Sequence, residues 1–477
     1  MLFNSLPFAV FLPLVFAVYW LLGRSHFRAQ NVLLIGASYV FYGWWDWRFL
    51  FLIIVSSLAD FIIGMQMQDT KAPGRRKLLL MLSLGVNLGI LGFFKYFNFF
   101  VDSFADVLAV AGLQPNMTTL RIILPVGISF YTFQTLSYTL DIYRRQIEPT
   151  RDAVSFFAFV SFFPQLVAGP IERARDLLPQ FLRPRVFDQL AARDGLRQML
   201  WGFFKKIVIA DSLAPHVEEI YRNYAQHDGI VIAIGTFFFA IQIYCDFSGY
   251  SDIAIGSARL FGFNLRRNFA FPYFSRDIAE FWRRWHISLS TWFRDYVFIP
   301  LGGNRCSRNR QILNIFITFS VSGLWHGANW TFVVWGALNG LYYLPLMLRG
   351  QQKSHTDLPA EGRLLPKPGE FAGILTTFSL TLLAWVFFRA DSVPHALAIL
   401  GRAFTTVPHF TGLELYHRSL FLGVLVLIIE WLQRDKEHAL DCRIWPVPTR
   451  WVAYLSTVLA IIVLGNFGST EFIYFQF

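Results

Sequence analysis

Long runs of apolar residues recur along the chain, and they constrain its fold more than any other feature of the sequence. A bilayer core about 30 Å thick is crossed by a helix of about 20 mainly apolar residues. Hydrophobic residues make up 55% of the chain and charged residues only 15%, whereas soluble domains carry roughly 25% charged residues. Since a water-facing surface would lack polar groups, the pattern predicts an all-α, polytopic integral membrane protein.

The apolar runs predict roughly 11–13 membrane segments when each run is matched to the thickness of a bilayer. Some runs are short or interrupted by Pro and Gly, above all between residues 250 and 330. Because non-helical backbone at membrane depth survives only inside protein or beside a cavity, these pieces predict re-entrant helices around a central tunnel. No repeat divides the chain, so a single membrane domain over 1–477 is expected. The segments are expected near 7–23, 30–45, 47–64, 78–101, 119–140, 153–169, 195–211, 229–245, 312–325, 329–348, 371–389, 419–433 and 451–467.

Basic residues alternate between successive loops and give the chain an orientation. The first loop carries Arg24 and Arg28, and the loops at 69–77 and 144–151 are also basic, whereas 102–106 holds two Asp. Since Lys and Arg collect in cytoplasmic loops, the N-terminus is expected on the periplasmic side of the cell inner membrane. No basic region precedes the first apolar run, so no cleavable signal peptide is expected.

The net charge of +11 would suggest a nucleic-acid ligand in a soluble protein. Here basic cytoplasmic loops and contact with anionic lipid headgroups account for it, so the lipid bilayer is an expected partner and nucleic acid is not. The cysteines are scattered without a CxxC pair, which predicts neither a disulfide framework nor a metal site. They are Cys245, Cys306 and Cys442.

The segment 264–310 is far more basic than the rest of the chain, with nine Arg against three acidic residues and a net charge of +6. Ser275 is a plausible N-cap, and a helix from there would form an apolar stripe that leaves Arg283 and Arg284 outside it. This pattern predicts an amphipathic helix that lies at the membrane surface or dips into it. Its basic face suits lipid headgroups, or the phosphates of an anionic donor, since Arg binds phosphate through a fixed fork of donors. The stripe consists of Phe281, Trp285, Leu289 and Trp292.

His326 lies between glycines and tryptophans in an otherwise apolar span, 323–330 (GLWHGANW). A lone His in such a place is often a packing residue. Ionisable groups at membrane depth are costly, however, and a functional role is their default interpretation. Imidazole can take a proton from a hydroxyl near neutral pH and return one later, as acyl transfer requires. The flanking glycines would let a thin acyl chain or pantetheine arm approach, and Trp325 and Asn329 are candidates for contact with it.

Two further polar positions are candidates for the same chemistry. His286 is either an interfacial residue of the amphipathic helix or a second catalytic group. Asp246 stands at the end of a span among hydroxyls, in the run 244–252 (YCDFSGYSD). It is suited to orienting a histidine, to binding substrate hydroxyls or to capping a helix. Nothing near Cys245 marks it as a thiolate, so it is not expected to carry an acyl group.

Several long motifs follow one another in an order typical of one family. The most specific are 281–290 (FWRRWHISLS), 300–304 (PLGGN) and 324–327 (LWHG). In this order the chain resembles the membrane-bound O-acyltransferases, and within them the bacterial branch that acetylates alginate and related polymers. The resemblance runs nearly end to end and includes 1–5 (MLFNS), 37–43 (ASYVFYG), 125–133 (PVGISFYTF), 163–171 (FPQLVAGPI), 246–252 (DFSGYSD) and 472–477 (FIYFQF).

The resemblance implies a role for both histidines and a reaction. His326 corresponds to the essential active-site histidine, and His286 to a second position that is His or Asn elsewhere in the family. A ring of helices would surround a thin centre with a tunnel. The implied donor is acetyl-CoA or another acyl thioester, used as a substrate, with no tightly bound cofactor. The acetyl group would leave on the periplasmic side, where a separate periplasmic or membrane-anchored acetyltransferase usually completes transfer to the sugar.

The resemblance does not fix the acceptor. Alginate is the acceptor we prefer, while cellulose, peptidoglycan and, more distantly, D-alanyl transfer to teichoic acid stay open. A transporter or flippase without chemistry is the alternative from another class, since it would also combine many spans, broken helices and a buried histidine.

Overall fold

The computed structural model describes residues 1–113, 121–407, 413–468 and 472–475. In these ranges the backbone forms twenty α-helices and no strand, which confirms the all-α prediction. The helices are α1 (Leu6–Leu21), α2 (Phe27–Asp46), α3 (Leu50–Asp69), α4 (Pro73–Leu91), α5 (Phe97–Val110), α6 (Ile128–Tyr143), α7 (Ala153–Ser161), α8 (Phe163–Leu166), α9 (Ala174–Phe181), α10 (Gln189–Phe203), α11 (Asp211–Arg222), α12 (Gly229–Leu260), α13 (Ile278–Arg284), α14 (Ile287–Phe293), α15 (Arg308–His326), α16 (Trp330–Leu348), α17 (Pro368–Arg389), α18 (Val393–Thr405), α19 (His417–Leu432) and α20 (Val447–Leu464).

Several helical stretches are long and apolar enough to cross a bilayer, so the chain is a multi-pass membrane protein. Six such stretches occur among the described residues, and the first two contain more than one helix. Other predicted segments correspond to shorter or broken helices: the segment at 153–169 forms α7 and α8, which have only nine and four residues. The six stretches are Arg24–Asp69, Pro73–Val110, Gly229–Leu260, Trp330–Leu348, Pro368–Arg389 and Val447–Leu464.

The segment predicted near 119–140 is only partly described. Its first two residues lie outside the described ranges, and the helix within it, α6, begins at Ile128. The same holds at the chain end, where Gln476 and Phe477 of the final motif lie outside the described ranges.

One compact unit of the chain comprises residues 1–192 and 257–265. In it α3, α4 and α6 pack around buried polar side chains. Ser83 Oγ and Asn87 Nδ2 donate hydrogen bonds to the two oxygens of Asp60, at 2.6 and 2.8 Å. Because an unsatisfied polar group in hydrocarbon is costly, these bonds stabilise the packing of α3 against α4.

A second compact unit comprises 193–256 and 266–477, and it contains every candidate site residue. Helices α15 and α16 pack most closely within it. A Cβ atom added at Gly323 would overlap the carbonyl oxygen of Phe332, and one at Gly336 would overlap that of Phe319. The two helices therefore approach along glycines. The single domain predicted for 1–477 stays a prediction.

The prediction of one amphipathic helix from Ser275 is wrong. Asp277 is the N-cap, and its Oδ1 accepts from the Glu280 N–H at 2.7 Å. Helix α13 ends at Arg284 and α14 begins after His286, whose φ of +41° breaks the helix. The four residues of the predicted stripe do not face lipid: after the break they pack into the core of the second unit. The exposed fractions are 2% for Phe281, 0% for Trp285, 1% for Leu289 and 6% for Trp292.

Candidate active site

His326 is the last residue of α15, directly before the chain turns into α16. The ring is buried, with only 2% of the residue exposed. The glycines beside it serve helix packing: a Cβ atom at Gly327 would overlap the ring of Phe332. The sequence led us to expect an acyl chain beside Gly323 and Gly327. In the structure Phe332 occupies that space.

His286 lies next to His326, although 40 positions separate them in the sequence. Their ring centroids are 6.1 Å apart, with 55° between the ring planes. His286 is fully buried, and the break between α13 and α14 brings its ring to this position. The two histidines therefore lie together, and because the ring is buried the interfacial interpretation of His286 does not hold. Their catalytic roles stay predictions.

Aromatic side chains surround both imidazoles. Trp325 contacts His326 at 5.1 Å and His286 at 5.9 Å between ring centroids. Phe247 packs edge-on against His286 at 4.6 Å. Such an apolar enclosure excludes water and strengthens the electrostatic interactions inside it. The other rings on His326 are Trp335 at 5.1 Å, Phe388 at 5.5 Å and Tyr474 at 5.7 Å.

Tyr474 contacts both histidines, with centroid distances of 5.7 Å to His326 and 6.3 Å to His286. The sequence motif 472–477 contained this residue, but no role was assigned to it. The motif indicated that this tyrosine matters, but it could not show where the ring lies in the fold. Its hydroxyl adds a polar group to an otherwise apolar enclosure.

Asp246 anchors the segment that carries Tyr474. Its Oδ2 accepts a hydrogen bond from the Ile473 N–H at 2.7 Å, and its Oδ1 lies 2.8 Å from the ammonium of Lys206. Asp246 lies inside α12, so it is not a helix cap. The structure brings it to the site through its neighbours, because Phe247 and Tyr474 touch the histidines.

Lys206 is a buried cation that the sequence reasoning missed. Its Nζ lies 2.8 Å from both Asp246 Oδ1 and Asp211 Oδ1. It belongs to a π-helical turn, Phe204–Ala210, a geometry that is frequent at functional sites. The signal was available, since an ionisable residue within an apolar span is a functional candidate by default.

Arg283 and Arg284 hold the loop that follows α16. Arg283 donates to the carbonyl oxygens of Gln352 and His355, both at 2.6 Å. Arg284 binds Glu280 at 2.8 Å. Their role in donor binding stays a prediction, and the structure shows that both guanidiniums have partners within the protein.

Arg276 joins the same loop to α13. It binds the carboxylates of Glu280 and Asp357, each at 3.0 Å. This guanidinium hydrogen bond holds the pKa of Asp357 below its usual range. The loop 350–370 is therefore fixed by ionic and main-chain contacts.

Asn329 caps α16. Its side-chain oxygen accepts from the Thr331 N–H at 3.0 Å, and its Nδ2 donates to the carbonyl oxygen of Asp391 at 2.9 Å. A helix N-cap of this kind contributes about 1 kcal/mol. The geometry thus gives Asn329 a structural function, while contact with a substrate stays a prediction.

A small polar cavity of about 10 Å³ lies beside the histidine site. Phe269 belongs to its wall and also stacks on His286, with 6.4 Å between ring centroids. In this wall the Lys205 ammonium lies 2.7 Å from the Asp252 carboxylate and donates a hydrogen bond to the Ser248 hydroxyl oxygen at 2.8 Å. A cavity of this size holds about one water molecule, and its charged and hydroxyl groups suit hydrogen bonding to it. Glu430, Arg267, Tyr244 and Trp201 also line the cavity.

Among the described residues, no group of three His, Cys, Asp or Glu side chains is arranged to hold a metal ion. The structure brings two imidazoles and a phenol together at the site. Such groups transfer protons to and from a hydroxyl or thiol.

Comparison with known proteins agrees with the motifs. Residues 146–384 match the model of the membrane-bound O-acyltransferase family. The chain is 37% identical to the "Probable alginate O-acetylase AlgI" of Pseudomonas putida, over 100% of both chains. It is 41% identical to the protein of that name from Pseudomonas aeruginosa, over 93% of this chain and 84% of the relative.

A relative with another acceptor in its name is also similar. The chain is 35% identical to the "Peptidoglycan O-acetyltransferase" of Helicobacter pylori, over 84% of this chain and 79% of the relative. Relatives with similar identities to this chain therefore carry names that give different acceptors.

Proposed function

Since this chain belongs to the membrane-bound O-acyltransferase family and is an O-acyltransferase, we propose that it moves an acetyl group from a cytoplasmic thioester toward polysaccharide hydroxyls. The observation that carries the proposal is the pair formed by His286 and His326, 6.1 Å apart and buried. Two imidazoles at this spacing can take and return protons around one reacting group.

The reaction assigns different tasks to the two histidines. The Nε2 or Nδ1 atom of His326 takes the proton from an acceptor hydroxyl, and the hydroxyl oxygen attacks the thioester carbonyl carbon. The carbon–oxygen bond forms, the carbon–sulfur bond breaks, and the leaving thiolate receives the proton. His286 assists by positioning or proton handling. General-base help of this kind is worth about 10²–10⁴ in rate.

Acetyl-CoA is the donor we propose, and the basic segment supports this choice. In the part of the chain that the structure describes, Arg283 donates to main-chain carbonyl oxygens of the following loop. The phosphates of a donor would replace these neutral acceptors with charged ones, which bind Arg more strongly. We also propose that Trp325 contacts the pantetheine arm of the donor, because the Trp325 ring touches both imidazoles.

Alginate is the acceptor we propose, on the names of the most similar relatives discussed above. The chain would lie in the cell inner membrane with its N-terminus in the periplasm, as the alternation of basic loops indicates. A periplasmic or membrane-anchored acetyltransferase would complete transfer to the polymer. Peptidoglycan is the second acceptor to measure, on the name of the Helicobacter pylori relative.

A deletion strain of the natural host tests the proposal. The strain receives the wild-type chain, His326→Ala, or His417→Ala as a matched control at an exposed histidine. Base-releasable acetate is measured on purified exopolysaccharide and on muropeptides, and immunoblots of membranes give the amount of each chain. We expect the wild type and the control to restore acetate on the exopolysaccharide, and His326→Ala to restore none at equal accumulation.

Two results would contradict the proposal. Acetate that is unchanged by the deletion would show that the chain does not acetylate these polymers. Full acetate with His326→Ala would remove this histidine from the chemistry. Release of free thiol from acetyl-CoA by the purified chain, absent in His326→Ala, separates the enzyme from a transporter that moves an intact solute.

A further inference from the structure

The turn that carries His286 has a backbone conformation that side chains rarely adopt. Its φ of +41° and ψ of 55° lie in the left-handed region. For a residue other than Gly this conformation is strained and persists only where surrounding contacts impose it. The contacts that impose it therefore determine where the imidazole lies.

Asn268 makes three contacts with the residues that directly follow His286. Its main-chain oxygen accepts from the Ile287 N–H at 2.9 Å. Its side-chain Oδ1 accepts from the Ser288 hydroxyl at 2.6 Å and from the Ser288 N–H at 3.4 Å. These bonds fix the chain on the C-terminal side of the left-handed residue.

The N-terminal side of the turn is held by the same short segment. The Ala270 N–H donates to the carbonyl oxygen of Arg284 at 2.9 Å. Phe269, between the two contact points, stacks on the imidazole of His286 at 6.4 Å. The stretch 268–270 thus brackets the turn on both sides and packs on its ring.

Asn268 also contacts the wall of the polar cavity. Its Nδ2 donates to the Ser251 hydroxyl at 3.2 Å, and both residues line that cavity. Asn268 is fully buried, so each of these hydrogen bonds is made away from bulk water, where losing it is costly. The side-chain amide of Asn268 therefore links Ser251 in α12 to the turn at His286.

We infer that Asn268 is a positioning residue for the reaction: it holds the main chain of His286 in the left-handed conformation that places the ring beside His326. This inference rests on the proposed function, in which His286 assists His326. Asn268 itself acts through His286 and touches no reacting atom. Substituting it should change the activity of each molecule more than the amount of folded chain.

Two substitutions at Asn268 separate hydrogen bonding from packing. Asn268→Leu keeps the volume but removes the side-chain acceptor, whereas Asn268→Asp keeps an oxygen for Ser288. Asn314→Leu is the matched control, because Asn314 is equally buried in the same unit and donates to Leu301 instead. Acetate per sugar at matched accumulation, along a promoter titration in the deletion strain, gives the activity per molecule.

We expect Asn268→Leu to lower the activity per molecule about 10²-fold, the effect of a misplacement of about 1 Å at a catalytic group. The control should stay close to the wild type, and Asn268→Asp should lose less activity per molecule than Asn268→Leu, because it keeps the acceptor for Ser288 although it loses the donor to Ser251. In the His286→Asn background the loss caused by Asn268→Leu should be smaller, because Asn enters the left-handed region more readily. A purely structural role would give the same fold loss in both backgrounds.

Wild-type activity of Asn268→Leu would overturn the inference, as would an equal loss per molecule in Asn314→Leu. Equal fold losses in both backgrounds at position 286 would also overturn it. Failure of the proposed function looks different: the wild-type chain and His326→Ala would then give the same acetate content.

Discussion

The carboxylate of Asp246 accepts a hydrogen bond from the main-chain N–H of Ile473 at 2.7 Å, across 227 positions of the chain. Its second oxygen lies 2.8 Å from the Lys206 ammonium. Tyr474 follows Ile473, and its ring lies 5.7 Å from His326. A buried ion pair therefore holds the segment that completes the enclosure of the active site.

Lys206→Met should destabilise this arrangement strongly. The substitution leaves Asp211 and Asp246 buried without the cation between them, and removing one partner of a buried pair costs about 3–5 kcal/mol. We expect a lower unfolding temperature of the purified chain in detergent. The exposed Lys353→Met is the control, and an unchanged unfolding temperature in Lys206→Met would contradict the prediction. Adding Asp211→Asn should recover part of the loss, because it removes one uncompensated charge.

The two histidines should respond differently to substitution. His326→Ala removes the general base, and we expect a loss of about 10²–10⁴ in acetylation rate. His286→Asn keeps a hydrogen-bonding side chain at a position where Asn tolerates the left-handed backbone, so it should lower the rate less. Rates of acetate incorporation at equal accumulation check this order. A greater loss in His286→Asn than in His326→Ala would reverse the roles assigned to them.

The sequence predicts the fold class and singles out the two histidines that the structure brings together, because both depend on local patterns. Apolar runs of bilayer length identify a membrane protein whatever the packing, and the motifs around His286 and His326 are contiguous. The break at His286 was missed because 275–293 has the apolar spacing of a continuous helix. The left-handed residue is imposed by Asn268, a contact that no local pattern contains.

Long-range contacts explain the remaining differences. The sequence shows that Arg283 lies in a basic segment, but it does not show its partners. These lie 69 and 72 positions further along the chain. Tyr474 reaches the site where the chain end folds onto Asp246, and Lys206 binds the same carboxylate from another part of the chain. Pairings of this kind are set by tertiary packing and cannot be inferred from spacing.

Gly327→Ala should destabilise the turn after His326. The added Cβ would overlap the ring of Phe332, and overpacking in a close-packed interior costs about 1–3 kcal/mol. The thermal unfolding temperature should fall together with acetylation. Gly401→Ala is the control, because nothing lies within 4 Å of its added Cβ and it lies inside α18; a helical Ala there should be neutral or stabilising. Equal effects of the two substitutions would contradict this account.

Arg283→Ala should loosen the loop after α16. The guanidinium holds the carbonyl oxygens of Gln352 and His355, and Ala leaves both to water. We expect faster cleavage between 350 and 358 by a nonspecific protease, followed by mass spectrometry of the fragments. Arg310→Ala, outside these contacts and exposed, should leave the cleavage rate unchanged. An unaltered rate in Arg283→Ala would show that other contacts suffice to hold the loop.

Acid should loosen the same loop through Asp357. Its pKa is lowered in the folded chain, first by the hydrogen bond from Arg276, so the ionised carboxylate is the form that the fold favours. Stability from this contact is present above the unfolded pKa, close to 3.8, and is lost as the pH falls through the lower folded value. Pepsin cleavage between 350 and 358 should therefore accelerate as the pH falls below about 4. In Asp357→Asn the cleavage should already be fast at the higher pH and change less on acidification, because the titrating group is absent; a wild-type pH profile in this variant would assign the effect to another group.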